Sequence, residues 1–281
     1  MGVENMGLKP IVKWAGGKRQ VIDKLLENMP LIYNNYYEPF IGGGAFLFEL
    51  LPNKATINDV NHELIAIYKC LTYEDFFRLM IQELDEHEKN HSEEYYYQIR
   101  EVDRQQDYVN YPVWKRASRA IYLNKSCFNG LYRVNAKGYF NVPSGKKEKV
   151  QIYDRENMKL VHDYFMNNNI EVLQGDFIKA VEKANSGDFI YFDPPYDSFE
   201  DKESFTAYTK NDFSKEDQKR LADLFKELSS KGVKVMVSNH NTNYINNLYK
   251  GFNIKVIKAK RMINSDSNGR GNVEEVIITN Y

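Results

Sequence analysis

Asp193-Pro194-Pro195-Tyr196 is the segment of this chain best equipped for chemistry. It follows the apolar run GDFIYF, which reads as a buried strand. Two prolines lock the backbone and remove two N–H donors. The Asp193 carboxylate and the Pro194 carbonyl then form two acceptors beyond a strand's C-terminal end, where open α/β sheets bind ligands. Tyr196 adds an aromatic face on which a ring can stack. The set fits a planar group bearing an NH2, with both hydrogens held and the nitrogen lone pair aimed outward. The competing reading is a rigid turn with a capping aspartate.

A second candidate lies upstream. Glu38-Pro39-Phe40-Ile41-Gly42-Gly43-Gly44 joins a strand pattern to the apolar helix pattern Ala45–Leu51. Glycines at such a turn let the backbone pass close to a ligand. The spacing is neither the dinucleotide G-x-G-x-x-G nor a P-loop, and Gly16-Gly17-Lys18 lacks the P-loop spacing too. Asp59 closes the next strand pattern, where one carboxylate can accept from both hydroxyls of a ribose. Asp176 closes another, with Phe177 beside it to lie against a ring. Either aspartate could instead cap the helix that follows.

These residues need a scaffold. Strand patterns at 36–41, 55–59, 170–173, 188–192 and 233–237 alternate with helical patterns at 45–51, 61–71 and behind Ser214. That alternation predicts an α/β fold with a mostly parallel sheet. Asn61 is placed to cap one helix, and Ser214-Lys215-Glu216-Asp217 resembles a capping box for another. The late strand patterns 253–258 and 274–279 predict an antiparallel C-terminal edge. From about residue 74 the alternation stops. Charged, tyrosine-rich helical sequence gives way to a turn-rich basic stretch, FNGLYRVNAKGYFNVPSGKK. We therefore expect residues 73–165 to form an inserted, mainly helical second domain, with 1–72 and 166–281 as the α/β domain.

The net charge of −1 conceals a strong asymmetry. Residues 74–94 carry eight acids and two bases, whereas 113–149 carry nine bases and one acid. A concentrated basic segment suits a polyanion better than the average charge suggests. Cys70 and Cys127 match no disulfide framework and no common zinc spacing. His62, His87, His91, His162 and His240 do not cluster as ligands, and His87 with His91 sits in a charged helix pattern. No metal is expected. No apolar run nears the ~20 residues of a membrane span, and the first residues lack a signal peptide's apolar stretch. A cytoplasmic protein without membrane partners is expected.

Taken in order, Lys13-Trp14-Ala15-Gly16-Gly17-Lys18, Glu38–Gly44, Asn58-Asp59-x-Asn61, the stretch 128–146, Gly175-Asp176-Phe177 and Asp193–Tyr196 resemble the DNA adenine-N6 methyltransferases with a D-P-P-Y motif. The likeness is greatest to the Dam-type enzymes that methylate adenine in GATC, and it spans nearly the whole chain. It implies a Rossmann-like S-adenosylmethionine-dependent methyltransferase sheet with an inserted DNA-recognition domain. It also implies Asp193, Pro194 and Tyr196 as the catalytic set. Trp14, Ala15 and Lys18 would lie beside the methionine end of the cofactor, and Phe40, Gly42 and Gly44 would cradle it. Asp59 would take the ribose, and Asp176 with Phe177 the adenine, with Asp193 also near the cofactor.

On the DNA side the resemblance implies Lys13 and Arg133 as guanine contacts, and Leu131 and Pro143 as thymine contacts. It implies Phe128 and Asn129 as a wedge in the duplex, where some relatives carry Tyr at the Phe128 position. Asn124 and Asn141 belong to the same surface, with Arg116 and Lys146 among the bases that would meet phosphates. The partner implied is double-stranded DNA, with a restriction endonuclease acting on the same site but forming no stable complex, and the enzyme itself a monomer. Two rival functions remain at this level: methylation of an RNA base or a protein glutamine, and a DNA-binding module that has lost activity.

Overall fold

The computed structural model describes residues 7–198, 213–260 and 272–281. Along the chain it forms α1 (Ile22–Glu27), β1 (Tyr36–Glu38), α2 (Ala45–Leu50), β2 (Lys54–Asp59), α3 (His62–Leu71), α4 (Glu74–Lys89), α5 (Glu93–Glu101), α6 (Val113–Ser126), α7 (Arg155–Asn167), β3 (Asn169–Gln174), α8 (Phe177–Ala180), β4 (Phe189–Phe192), α9 (Lys215–Ser230), β5 (Lys234–His240), α10 (Asn243–Leu248), β6 (Asn253–Lys260) and β7 (Asn272–Thr279). The chain divides into two compact units. The first holds residues 1–17, 42–54 and 59–174, and the second 18–41, 55–58 and 175–281.

The second unit is built on strands in the order β2-β1-β4-β5-β7-β6. β2, β1, β4 and β5 run parallel, with Tyr37 opposite Thr56 and Tyr191 opposite Met236. β7 pairs antiparallel with both β5 and β6. This is the Rossmann-like arrangement with an antiparallel C-terminal edge that the sequence led us to expect. β4 is buried along its full length, which explains why it reads as an unbroken apolar run rather than an alternating one. α9 begins at the expected box: Ser214 accepts from the Asp217 backbone N–H, and the Asp217 carboxylate accepts from Ser214 N–H. Its apolar stripe, Leu221, Leu224, Phe225 and Leu228, packs into one core with Ile190, Phe192, Val235, Val237 and Ile278.

The first unit is mainly helical. Asn61 caps α3 by accepting from Glu63 and Leu64 N–H. α6 packs against α3 and α4, with Ile121, Tyr122 and Leu123 buried. Arg119 is one of the nine bases in 113–149, but it does not contribute to a basic surface. It is buried, pairs with Asp103 at 2.9 Å, and donates to the backbone carbonyls of Ile99 and Arg100. Burying a guanidinium is tolerable only with this degree of pairing, so the charge serves the fold of the unit.

The phenyl ring of Phe225 is fully buried between Tyr249 at 5.2 Å and Phe252 at 4.8 Å. Phe225→Ala should cost about 3–5 kcal/mol of unfolding free energy in a urea titration. A cost below about 1 kcal/mol would show that this core is not the one described.

Candidate active site

In the first unit, three glycines shape a bend that no other residue could make without strain. Gly42 has φ 48° and Gly44 has φ 74°, the left-handed region where a Cβ is costly. Space is as tight as conformation. A Cβ on Gly44 would come within 2.7 Å of the Tyr68 hydroxyl oxygen, and one on Gly42 within 3.1 Å of Trp14 Cδ1. Tyr68 OH donates to the Gly42 carbonyl at 2.8 Å. The Trp14 ring lies 4.9 Å from Tyr132, and Ala15 is exposed.

Asp59 is tied to the same bend. Its Oδ2 accepts from Gly42 N–H at 3.1 Å and its Oδ1 from Asn61 N–H at 2.9 Å. Desolvation pushes its carboxyl above the ordinary aspartate value, against the pull of the backbone donors of Asn61, Gly42 and Val60. Asp59 therefore does not cap α3; Asn61 does. Its carboxylate is instead a fixed, half-exposed acceptor beside a backbone stripped of side chains. That donor and acceptor chemistry fits the ribose of S-adenosylmethionine.

In the second unit, Phe40 stacks on Phe177 at 5.3 Å and 29°, and Phe192 and Phe213 present ring edges to Phe40. Asp176 does cap a helix, because its Oδ1 accepts from Ile178 N–H. Its Oδ2 accepts from Arg220 at 2.7 Å, and that guanidinium lies 5.2 Å over the Phe177 ring. Arg220 is a residue that sequence reasoning missed. It lies 44 residues from Asp176, and only the start of α9 sets its position. Asn58, part of the Asn58-Asp59 motif, is buried and donates to the carbonyls of Pro39 and Gly175, tying the ends of two motifs together.

The D-P-P-Y segment leaves β4 into a dense polar network. Asp193 Oδ1 takes an ion pair from Lys18 Nζ at 2.8 Å and a hydrogen bond from Ser238 Oγ at 2.7 Å. Its Oδ2 accepts from none of the described residues. The Pro195 carbonyl accepts from Gln218 Nε2 at 2.9 Å, and Gln218 is held in turn by Asn239. The Pro194 carbonyl accepts from none of the described residues. Lys18 is only 8% exposed, and its ammonium sits 4.4 Å from the Tyr196 ring centroid. The Tyr196 ring also meets His240 edge-on at 4.9 Å. Burial, with Asp193 nearby, holds the Tyr196 phenol well above its ordinary value, and it donates to Glu275 Oε2 at 3.2 Å. The structure thus brings Lys18, Asp193 and Tyr196 into one cluster across 178 residues of chain.

The first unit also carries the residues expected to face DNA. Phe128 is 53% exposed, and Asn129 (φ 57°) and Gly130 (φ 67°) make the sharp bend beside it. Arg133 is exposed, and its Nε donates to Asn141 Oδ1 at 2.8 Å. Pro143 and Lys146 are exposed and Leu131 is half-buried. Asn124 is buried. Its side chain accepts from Lys13 N–H and donates to the carbonyls of Lys13 and Gly130, joining the Lys13 segment to the bend. Arg116 is half-buried and lines a cavity of about 450 Å³ with Glu63, Asp103, Tyr108 and Arg119. His87 and His91 bond Tyr95 and Tyr122. Among the described residues no cluster of three or more His, Cys, Asp or Glu could hold a metal, and no helix is long and apolar enough to cross a membrane.

The D12 class of N6 adenine-specific DNA methyltransferases has a family model that matches residues 14–263, and the chain belongs to that family. Among individual proteins it is similar to the type II methyltransferase M1.LlaDCHI of Lactococcus lactis subsp. cremoris, at 46% identity over 98% of this chain and 96% of that one. It is similar to the type II methyltransferase M.MjaIII of Methanocaldococcus jannaschii, at 42% identity over 98% of this chain and 100% of that one. The DNA adenine methylase of Serratia marcescens is 32% identical over 96% of this chain and 97% of its own. The protein is an S-adenosylmethionine-dependent enzyme that methylates adenine N6 in double-stranded DNA.

The Asp59 carboxyl gives a signed test. Its folded value lies above its unfolded one, so the folded state binds this proton more tightly and its contribution to stability falls as pH rises through that window. Asp59→Asn is neutral throughout. The melting temperature of the variant should therefore gain on wild type as pH rises from the ordinary aspartate range, while S-adenosylhomocysteine binds more weakly. A difference in melting temperature that is flat with pH, or that moves the other way, would contradict the burial assigned to this carboxylate.

Proposed function

We propose that the enzyme methylates the adenine of GATC after extruding it from the duplex, with Asp193, Pro194 and Tyr196 as the groups that receive it. The observation that carries this reading is the asymmetry of the Asp193 carboxylate. One oxygen is taken by Lys18 and Ser238, and the other accepts from none of the described residues. N6 cannot be reached within a stacked duplex, so the base must leave the helix. Tyr196 then stacks on the purine, and Asp193 Oδ2 and the Pro194 carbonyl accept the two amine hydrogens. As the amine attacks, positive charge grows on nitrogen, and these fixed acceptors stabilise it without reorganising. Holding the nitrogen lone pair in one direction supplies much of the remaining acceleration. S-adenosylmethionine, when bound, supplies an electrophilic methyl group.

The chain's own residues divide the other tasks. Asp59 accepts from ribose hydroxyls, the glycine bend with Trp14, Ala15 and Phe40 admits the cofactor closely, and Asp176 with Phe177 receives its adenine ring. Residues 73–165 form the recognition domain. Arg133, braced by Asn141, reads a guanine through O6 and N7, and Lys13 reads the other. Leu131 and Pro143 meet the thymine methyl, Phe128 and Asn129 fill the gap left by the extruded base, and Lys146 and Arg116 meet phosphates. The enzyme acts as a monomer beside a restriction endonuclease of the same specificity. That pairing is supported by the higher identity to relatives named type II methyltransferases, 46% and 42%, than to a DNA adenine methylase, 32%.

Asp193→Ala should abolish tritium transfer to a GATC duplex while S-adenosylhomocysteine still binds; near-normal turnover would refute the mechanism. Arg133→Ala should cost about 1–3 kcal/mol in kcat/KM and relax the preference for one guanine. The comparison is made on duplexes in which each guanine is replaced in turn. An equal penalty on every duplex would reduce Arg133 to a phosphate contact.

A further inference from the structure

β5 carries a buried hydroxyl directly after the apolar run Val235-Met236-Val237. Its sequence is Lys-Val-Met-Val-Ser-Asn-His, and Ser238 is 2% exposed. A buried hydroxyl costs free energy unless it is bonded, so its partners show what it does. The register sets Tyr191 opposite Met236 and Phe192 opposite Val237, so the next step of the parallel ladder brings Ser238 beside Asp193. Tyr191 lies two residues before Asp193 and shares its face. Tyr191 OH and Ser238 Oγ are 2.9 Å apart, and Ser238 Oγ is 2.7 Å from Asp193 Oδ1. The same oxygen pairs with the Lys18 ammonium at 2.8 Å, and a carboxylate oxygen in such a pair accepts. The single Ser238 proton therefore points at Asp193, and Tyr191 must donate to Ser238. The order of donation is Tyr191 to Ser238 to Asp193.

We infer that Ser238 and Tyr191 are positioning residues: they fix the rotation of the Asp193 carboxylate so that Oδ2 faces the substrate amine. The inference rests on the reading of Asp193 as an acceptor for adenine N6. Neither hydroxyl touches substrate. Without the bond from Ser238, Oδ1 keeps the Lys18 ion pair, and the carboxylate can turn about its χ2 torsion, which is broad by nature. Tyr191 acts on the Asp193 carboxylate through its bond to Ser238. Its phenol is fully buried, and desolvation together with the nearby Asp193 charge raises its value well above the ordinary one, so it remains a donor.

The test compares Ser238→Ala, Ser238→Thr, Tyr191→Phe, the double variant Ser238→Ala/Tyr191→Phe, and Asp193→Ala. Single-turnover methyl transfer to a GATC duplex is measured at saturating S-adenosylmethionine. Dissociation constants for S-adenosylhomocysteine and duplex, and melting temperatures, are measured alongside. Ser238→Ala should slow transfer about 10- to 100-fold, as expected for loss of a bond to a charged group, with both dissociation constants within about twofold of wild type. Ser238→Thr keeps the hydroxyl and should restore most of the rate. Tyr191→Phe should cost less than Ser238→Ala, and the double variant should be no slower than Ser238→Ala, because both act through one bond. Wild-type speed in Ser238→Ala, or a double variant whose loss is the product of the two single losses, would overturn the inference. Should Ser238→Ala fail to fold, an unchanged rate in Tyr191→Phe would overturn the relay on its own. If Asp193→Ala is inactive while Ser238→Ala is fast, only this inference fails; if Asp193→Ala is fast, the acceptor reading fails first.

Discussion

An ionised carboxylate at the end of a buried strand is stable only if it is paired and bonded, and Asp193 is held on both counts. Lys18 and Ser238 converge on one oxygen. This concentrates the contacts on one oxygen, while the other accepts from none of the described residues. Much of the second unit follows from that need. β4 must be central and buried to bring Asp193 to the sheet's edge at a fixed height, β5 must lie in register beside it to present Ser238, and the chain before α1 must deliver Lys18. Gln218, held by Asn239, then braces Pro195, so that the backbone as well as the side chain is held. Such preorganisation is what electrostatic catalysis requires, because acceptors already in place need no rearrangement as charge develops.

The first unit meets two other requirements: a backbone bend without side chains, and a carboxylate held against it. Gly42 and Gly44 satisfy the first requirement, since any side chain would strike Trp14, Tyr68 or Phe48. Asp59 satisfies the second, bonded to backbone N–H groups at the bend itself. The cost is a carboxylate that is partly desolvated. The basic segment makes a similar division. Arg133 and Lys146 stay exposed, whereas Arg119 is drawn inward to Asp103.

Much of the fold was legible in the sequence because it is written in local patterns. Strand patterns, the capping residues Asn61 and Ser214, and the antiparallel edge all depend on neighbours within a few positions. The motif residues stood out for the same reason: prolines and glycines at strand ends are locally conspicuous. What escaped were the partners. Lys18 was read as a cofactor neighbour but not as the cation on Asp193, Asn58 stood in a motif without its partners, and Ser238 and Arg220 carried no signal at all. Each meets its partner only through sheet order or helix placement, across tens to hundreds of residues. Asn124 is a related case. The resemblance puts it on the DNA surface, and its amide is used to join Lys13 to the Asn129-Gly130 bend. Arg119 shows the opposite failure, because a charge count cannot distinguish a base facing solvent from one paired inside.

The central claim is geometric, and a structure of the enzyme with a GATC duplex and a non-reactive cofactor analogue tests it most directly. The account predicts the target adenine outside the helix with its ring against Tyr196, and its N6 about 3 Å from both Asp193 Oδ2 and the Pro194 carbonyl. An adenine that remains stacked in the duplex, or an amine beyond hydrogen-bonding reach of both oxygens, would contradict it.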